Sequence, residues 1–356
     1  MGNDVPGVKE ARLRLLGIQA VPFADGIVIR RGRARVFVRG EGLGDLLDLI
    51  VRRSAEGAGV SLATLMAETE GARHTALKGL LDRLTAERLL VSADGGSGDE
   101  RPEDVFYWNH GANAAIGREN VARVELAVFG VNHIALPLLG NLRSCGFRAV
   151  ALVDHPALRN LAFFNDRQEL RPEIAAAMGT PPRSLDDWSA KAKPADCHIV
   201  CSDFGGLDLM REWNRKCVAA ATKFYPIVLE DEVASLGPLV IPGEGPCYEC
   251  LVARENANRA DPDLARATEA HAFFGQDVSG FVQPMARVAA DLAAVDLLKY
   301  FSRTLPGGVA GRLIEADLMT PALRTRNVLR APRCPVCAPP RVEASSPPAA
   351  TVSGGA

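Results

Sequence analysis

The sequence lacks the segments that would carry the chain into or across a membrane. Its first residues, Met1 to Glu10, contain charges and a proline but no apolar stretch of the kind that signal peptides have. No run of apolar residues approaches the roughly 18 that are needed to span a bilayer. These absences predict a cytoplasmic protein with no membrane partner.

The sequence also lacks a strong excess of charge of either sign. Its net charge is −2, with 24% charged and 47% hydrophobic residues, which is ordinary for a globular protein. Such a charge gives no general attraction to nucleic acid, so we expect no nucleic-acid partner. At 356 residues, the chain is long enough for two domains or for one large α/β domain with an appendage.

Cysteine, by contrast, is present in eight copies, and four of these form two Cys-x-x-Cys pairs. The pairs are Cys247-Tyr248-Glu249-Cys250 and Cys334-Pro335-Val336-Cys337. Each pair places two thiolates on one turn, and two such turns supply the four sulfur ligands of a closed zinc site. Because all four ligands would be protein sulfurs, the pattern predicts structural rather than catalytic Zn2+. The alternatives are four unrelated cysteines or a redox dithiol.

Composition divides the chain into four parts. Residues 1–93 predict a small domain, and 94–120 predict a linker that begins rich in Gly, Ser and Asp. Residues 121–337 predict a larger α/β domain. Residues 338–356 are mostly Pro, Ala, Ser and Gly, which predicts a disordered tail.

The first domain is predicted to combine a hairpin with helices. Strand-like segments at 26–30 and 33–39 flank Arg31-Gly32, a short hairpin signal. Helical patterns follow the hairpin, at 43–53, 61–69 and 72–88. Strands around helices in fewer than 100 residues predict a winged-helix-like α+β module.

The second strand of this hairpin carries Arg33, Arg35 and Arg39 on one face, and three interpretations are open. A basic wing can bind DNA phosphates, although the third helix is not notably basic. An open edge strand can instead take up an extended peptide by β-augmentation, with the helix supplying a groove. The third interpretation is a solvated edge that arginines protect against aggregation.

The larger domain begins with a strand–helix–strand unit. A buried strand ends at Gly130, a helix covers 134–145, and a second strand ends at Asp154. An acidic residue roughly 20 residues after the glycine is the arrangement of a dinucleotide-type βαβ unit. A third core strand, 198–202, is followed by Asp203. Alternating strands and helices predict a mostly parallel sheet that is covered on both faces.

The glycine loop of this unit is damaged. The three glycine positions of the usual fingerprint hold Gly130, Asn132 and Ala135. The second glycine normally lets the main chain approach a phosphate, so the side chain of Asn132 would intrude there. His133 adds further bulk. The fold behind the loop is predicted to be intact, but the phosphate cradle is not.

From Val121 to Cys337 the sequence resembles the ubiquitin-activating-enzyme-like (ThiF/MoeB) adenylating fold. The motifs that carry the resemblance are the βαβ unit with its final Asp, Asn165-Asp166-Arg167-Gln168, the strand that ends in Ser-Asp, and the cysteine pairs. The resemblance implies that Asp154 holds ribose, Arg167 contacts ATP phosphates and Asp203 binds magnesium.

The chain departs from that family in ways that weaken adenylation. It has no lysine from Glu169 to Asp187, where a phosphate lysine is expected, and no cysteine between Cys250 and Cys334 to form a thioester. Adenylation depends on charge neutralisation around the phosphates. We therefore predict a vestigial nucleotide site, formed by Gly130, Asn132, Asp154, Arg167 and Asp203, and no bound ATP.

One branch of the superfamily resembles the chain more closely around the cysteines. The segments 236–240, 245–251 and 328–337 are similar to ThiF-like, leader-peptide-binding partner proteins from clusters that make azoline-modified (thiazole/oxazole) peptides. Those cyclodehydratase components have an N-terminal winged-helix recognition element for the precursor, a degenerate adenylating fold and a structural zinc. The resemblance implies a non-catalytic cytoplasmic adaptor, with a leader peptide and a YcaO-type ATP-dependent cyclodehydratase as partners, and it is compatible with a homodimer.

On this interpretation the first domain holds the leader peptide. The predicted contact residues are those of the second hairpin strand, Arg33, Ala34, Arg35, Val36, Phe37, Val38 and Arg39, and of the last helix, Leu77, Leu80, Leu81 and Leu84. The main alternative is a working enzyme that uses ATP to adenylate a peptide carboxylate. A nicotinamide oxidoreductase and a DNA-binding regulator explain fewer of the motifs.

Overall fold

The computed structural model describes residues 12–55, 59–93, 101–190, 195–205, 208–270 and 279–338. Residues 339–356 of the predicted disordered tail and residues 94–100, the Gly- and Ser-rich start of the linker, lie outside the described residues. The chain divides into two compact units, Met1–Asn120 with Ser302–Pro306, and Val121–Phe301 with Gly307–Ala356. Among the described helices, none has the length and apolar character needed to cross a membrane.

The first unit contains six strands and five helices among its described residues. The strands are β1 (Arg12–Leu15), β2 (Gln19–Phe23), β3 (Gly26–Arg31), β4 (Ala34–Arg39), β5 (Val60–Ser61) and β6 (Leu90–Ser92). The helices are α1 (Leu43–Ala55), α2 (Leu62–Ala67), α3 (His74–Ala86), α4 (Pro102–Asn109) and α5 (Ala114–Ala122). The strands form two antiparallel sheets, ordered β5-β1-β6 and β2-β3-β4.

The β3–β4 hairpin differs from its prediction by one residue. The turn is Gly32-Arg33 rather than Arg31-Gly32, and Gly32 has φ +55°. A positive φ costs glycine little, because it has no Cβ. Arg33 therefore lies in the turn, and β4 begins at Ala34.

The first unit is discontinuous in sequence. Its second segment, Ser302–Pro306, follows the second unit's longest helix. The Asn120 side-chain amide donates to the Ser302 carbonyl at 2.8 Å, and Leu305 is buried. A Cβ added to Gly117 would lie 2.9 Å from the Thr304 hydroxyl. The short segment is therefore packed into the first unit rather than lying on its surface.

The second unit has a mixed α/β architecture. Its strands are β7 (Glu125–Phe129), β8 (Ala149–Asp154), β9 (Arg183–Ser184), β10 (Cys197–Ser202), β11 (Lys223–Glu230), β12 (Val233–Leu236), β13 (Arg312–Asp317) and β14 (Ala322–Asn327). Its helices are α6 (Ala135–Ser144), α7 (Pro172–Met178), α8 (Leu185–Ser189), α9 (Asp208–Ala219), α10 (Tyr248–Asn258), α11 (Pro262–Ala270) and α12 (Gln283–Ser302).

These eight strands form one sheet, ordered β14-β13-β12-β11-β10-β7-β8-β9. The five strands from β11 to β9 are parallel to their neighbours, and β12, β13 and β14 add antiparallel pairs at the other end. In β7, the side chains of Leu126 and Val128 lie in one hydrophobic core, and those of Ala127 and Phe129 lie in another. The sheet is therefore buried on both faces, as a parallel sheet requires.

Candidate functional sites

The two Cys-x-x-Cys pairs meet in the second unit. Their four sulfur atoms all lie within 4.8 Å of one another. The sulfur–sulfur distances are 3.9 Å for Cys247–Cys250, 3.7 Å for Cys247–Cys334 and 3.5 Å for Cys250–Cys337. Four sulfurs bound tetrahedrally at about 2.3 Å from zinc stand roughly 3.8 Å apart. The four cysteines could therefore hold one metal ion.

The chemistry of this cluster favours a cation. Burial raises the pKa of the Cys247 thiol, and the neighbouring sulfurs raise it further. A set of thiolates at this place thus needs a positive charge among them. The Ala331 main-chain N–H donates to the Cys250 sulfur at 3.3 Å, which stabilises negative charge on that ligand. The donor set and its surroundings fit a closed four-sulfur metal site.

The first cysteine turn is fastened to helix α9. The Arg211 guanidinium donates to both Glu249 carboxylate oxygens, at 3.0 and 2.6 Å. The Tyr248 main-chain N–H donates to the side-chain oxygen of Asn214 at 3.0 Å. Glu249 and Asn214 are buried. The two middle residues of the Cys-x-x-Cys pair therefore position the turn while its cysteines face the cluster.

At the carboxyl end of β7, the side chain of Asn132 fills the damaged glycine loop. Asn132 is completely buried. Its amide nitrogen donates to the carbonyls of Cys201 at 2.8 Å and Leu158 at 3.2 Å. Its amide oxygen accepts from the main-chain N–H groups of Ala135 at 2.9 Å and Ile134 at 3.2 Å. These N–H groups open α6, where a helix would otherwise bind a phosphate.

Asp203 lies beside this loop and is completely buried. One of its carboxylate oxygens accepts from the His133 main-chain N–H at 2.9 Å and from the Asn160 side chain at 3.0 Å. The other oxygen has no hydrogen-bond partner among the described residues. Burial raises the pKa of the Asp203 carboxyl, although these two hydrogen bonds oppose the shift. The His133 ring packs against Phe163, with 4.6 Å between ring centroids.

The other two predicted nucleotide residues differ in their surroundings. Asp154 accepts two hydrogen bonds from the Arg159 guanidinium, at 2.8 and 2.7 Å, and Arg159 also stacks over Phe164. The Asp154 carboxylate is thus occupied by a partner within the protein. Arg167 is exposed, in a turn where its main-chain N–H donates to Asn165. No contact in the described residues joins Arg167 to Asn132 or Asp203.

In the first unit, β4 lies at the edge of its sheet, because the order is β2-β3-β4. The two-residue turn makes Arg31 and Ala34 a hydrogen-bonded pair, so pairing to β3 recurs at alternate residues of β4. The main-chain groups of Arg35, Phe37 and Arg39 accordingly point away from β3. Their side chains lie on the outer face, where Arg39 stacks over Phe37 at 4.9 Å and pairs with Asp25 at 3.1 Å.

Six other residues of the predicted peptide site lie in the core of this unit, and Ala34 of β4 packs against that core. The six buried residues are Val36 and Val38 of β4 and Leu77, Leu80, Leu81 and Leu84 of α3. Leucines at this helical spacing form an apolar face, and here the sheet and α1 cover it. The exposed face of α3 carries two short residues, Ala76 and Gly79, together with Lys78, Asp82 and Arg83.

Sequence reasoning missed three of the residues that shape these sites. They are Arg159 and Asn160, which hold Asp154 and Asp203, and Arg211, which holds Glu249. None of the three lies in a motif with a fixed spacing. Arg159 and Asn160 come shortly after Asp154 in the sequence. The one signal that could have identified them is that the Asp154 carboxylate needs a hydrogen-bond donor nearby.

No protein-family model matches the chain. A sulfur carrier protein adenylyltransferase from Thermus thermophilus is 24% identical to it over 248 residues, which are 62% of this chain and 84% of that protein. The identity is too low to assign a family.

Solved structures share the fold over almost the whole chain. The microcin C7 biosynthetic enzyme MccB in complex with N-formylated MccA matches with a TM-score of 0.66 at 17% identity, covering 91% of this chain and 99% of that one. E. coli MccB with ATP matches with a TM-score of 0.65 at the same identity and coverage. A heterocyclase in complex with substrate and cofactor has a TM-score of 0.60 at 14% identity; 93% of this chain covers 40% of the heterocyclase. These likenesses confirm an α/β fold like that of MccB.

Proposed function

We propose that this protein is an adaptor that binds the leader of a ribosomally synthesised precursor peptide. It presents the precursor to a separate YcaO-type enzyme, which uses ATP to form azoline heterocycles. The chain then supplies no catalytic residue. Its contribution is to raise the effective concentration of the precursor at the partner enzyme.

The observation that carries this proposal is the open edge of β4. Three residues there direct main-chain donors and acceptors away from the sheet, so an extended peptide can add as a fourth strand. Arg33 and Arg35 are exposed at this edge and favour an acidic leader. The short side chains of Ala76 and Gly79 leave room beside α3, and a Cβ at Gly79 would meet no atom within 4 Å.

The filled glycine loop supports a role without ATP. Asn132 uses the helix N–H groups that would bind a phosphate, and Arg159 uses the carboxylate expected to hold ribose. Binding ATP would require both groups to break their internal hydrogen bonds. We therefore propose that the nucleotide site is vestigial and that the domain serves as a scaffold.

The four cysteines would hold a structural Zn2+ in this scaffold. Four sulfur ligands leave no open position for substrate, so the ion would supply folding energy and no chemistry. It would connect the first turn of α10 to the segment after β14. We propose that this part of the chain forms a rigid support for the partner enzyme's docking.

The decisive experiment is a pair of calorimetric titrations on the purified protein, one with the leader peptide encoded beside its gene and one with ATP–magnesium. The adaptor proposal expects leader binding and no heat from ATP. Arg35→Pro removes one outward N–H of β4 and should weaken leader binding at least tenfold, since proline is tolerated on edge strands. Arg287→Glu, an exposed arginine of α12, is the control. Equal leader binding by Arg35→Pro and the unmodified protein would overturn the edge-strand site.

A second candidate function is ATP-dependent adenylation of a peptide carboxylate. The specific observation in its favour is Asp203, whose free carboxylate oxygen is buried beside the loop. The likeness to the sulfur carrier protein adenylyltransferase and to MccB with ATP also favours it. Peptide-dependent exchange of labelled pyrophosphate into ATP would establish this function and make the adaptor proposal wrong.

A further inference from the structure

A second sheet edge is open, on strand β8 of the second unit. β8 pairs with β7 from Ala149 to Val153. On its other side, β9 reaches only Val153 and Asp154. The residues before β9 are Pro181 and Pro182, which have no N–H to donate and cannot lengthen the ladder. Within the described ranges, the outer edge from Ala149 to Leu152 has no strand partner.

The hydrogen-bonding groups at this edge can be assigned. The Gly130 N–H donates to the Val153 carbonyl at 3.0 Å, on the β7 side. Alternate residues of a strand direct their main-chain groups to opposite sides. The N–H and C=O groups of Val150 and Leu152 therefore point outward. The pairing of Val153 with Arg183 uses the Leu152 carbonyl, so both groups of Val150 and the Leu152 N–H remain without a strand partner among the described residues. An extended chain placed there would gain up to three hydrogen bonds.

A groove of about 420 Å³ runs along this edge. Its floor is the β8 segment Ala149–Leu152, and its walls include Leu139 of α6, Pro181 and Trp188. Val150 and Ala151 are partly exposed in it. The groove thus combines apolar walls with main-chain donors and acceptors, which is what a peptide strand requires and what a small apolar ligand does not.

The groove is strongly basic. Arg143, Arg148 and Arg183 line it, and all three are exposed. None of them forms an ion pair with another residue of the described chain. Glu125 is the single acidic residue in the lining. Because the lining carries three guanidinium groups and one carboxylate, the charge that complements this groove is negative.

We propose that this β8 groove docks an extended, acidic segment of a partner protein as an added strand. The segment would bond to the N–H and C=O groups of Val150 and to the Leu152 N–H, and pair its carboxylates with the three arginines. Nucleic acid is a poorer match, because phosphates would leave the strand edge unpaired. The inference is independent of the proposed leader site, since β4 and β8 belong to different units.

The test uses the full chain and a fluorescein-labelled octapeptide of alternating Glu and Val. Fluorescence anisotropy should detect binding, and a Gln–Val octapeptide should bind at least tenfold more weakly. The triple variant Arg143→Glu, Arg148→Glu, Arg183→Glu should lose at least tenfold in affinity, while Arg287→Glu should bind normally. Hydrogen exchange should slow at the Val150 and Leu152 amides when the peptide is present.

A second variant separates the strand edge from the charge. Pro181→Val with Pro182→Thr restores the N–H at position 181, which would face β8, and removes both proline rings, so β9 can extend along β8 and cover the edge while the arginines remain. This variant should lose binding of the Glu–Val peptide. Undiminished binding by the proline variant, or by the triple arginine variant, would overturn the proposal. So would a single-stranded oligonucleotide that binds as tightly as the peptide and leaves the two amides unprotected.

Discussion

The side-chain oxygen of Asn132 lies 2.9 Å from the main-chain nitrogen of Ala135, at the first turn of α6. The protein thus provides, from its own chain, the acceptor that an anion supplies at other helix N-termini. All four hydrogen bonds of the Asn132 amide are made to main-chain groups inside the fold. Asn132, which removes the phosphate cradle, therefore stabilises the fold through these hydrogen bonds.

Asn132→Ala should lower the free energy of unfolding by about 2–4 kcal/mol. The change leaves the carbonyls of Leu158 and Cys201 buried without a donor and removes the acceptor at the start of α6. Urea denaturation followed by tryptophan fluorescence measures the loss. Asn258→Ala, on the surface of α10, should change stability by less than about 0.5 kcal/mol. A loss at Asn132 no larger than at Asn258 would contradict the structural role.

The protein as purified should contain about one zinc ion per chain. Cys250→Ser should abolish that content and lower stability by on the order of 4 kcal/mol, because binding energy in a closed four-sulfur site is folding energy. Mass spectrometry for metals and urea denaturation give the two values. Cys145→Ser, at a half-buried cysteine outside the cluster, should keep its zinc. Stoichiometric zinc in Cys250→Ser would show that the ion is bound elsewhere.

Arg211→Met should lower the free energy of unfolding by about 3–5 kcal/mol, because it leaves the buried Glu249 carboxylate without its bidentate partner. Adding Glu249→Leu to the same chain should recover part of the loss, since an apolar pair then replaces a lone buried charge. Urea denaturation of both variants tests this. Lys216→Met, which breaks the exposed pair with Glu212, should cost no more than about 1 kcal/mol. Equal losses for the two single variants would contradict the argument.

His198 should make the protein less stable in mild acid. The Trp213 indole N–H donates to its ring nitrogen at 3.2 Å, and burial lowers the pKa of His198 from 6.5 to about 4. Between these two values the unfolded chain binds a proton that the folded protein does not, so stability falls as pH falls through this window. The expected loss from this group is about 2 kcal/mol between pH 7 and pH 5.

The variant His198→Asn tests that assignment, because its side-chain oxygen can still accept from Trp213 but does not titrate. Urea denaturation at pH 7 and pH 5 should show a smaller acid loss than in the unmodified protein. His110→Asn, at an exposed histidine, should lose as much stability as the unmodified protein. If His198→Asn kept the full acid loss, the effect would come from other groups.

Features encoded by local spacing were predictable from the sequence. The cysteine pairs and the βαβ unit are set by turns and periodicity, so the sulfur cluster and the parallel strands follow from the pattern. Asn132 was expected to intrude, but its partners Leu158, which follows β8, and Cys201, which lies in β10, are brought together only by the fold.

Other features depended on packing or pairing that spacing does not encode. The leucines of α3 were correctly placed on one face, and periodicity could not tell that α1 and the sheet cover that face. The ion pairs of Arg159 and Arg211 join arginines that lie in no motif to the motif residues Asp154 and Glu249, and no pattern in the sequence identifies the arginines. The open edge of β8 likewise depends on where the ladder of β9 stops.

The discontinuity of the first unit has a consequence for the order of synthesis. Residues up to Asn120 leave the ribosome first, but Ser302–Pro306, which complete that unit, follow only after some 10–40 s of further translation. The second unit's strands β7 to β12 are made in that interval. The Ser302 carbonyl, which accepts a hydrogen bond from the Asn120 side chain, is thus absent while the nascent N-terminal region first collapses. A gene fragment that stops at residue 120 would produce the same incomplete unit permanently.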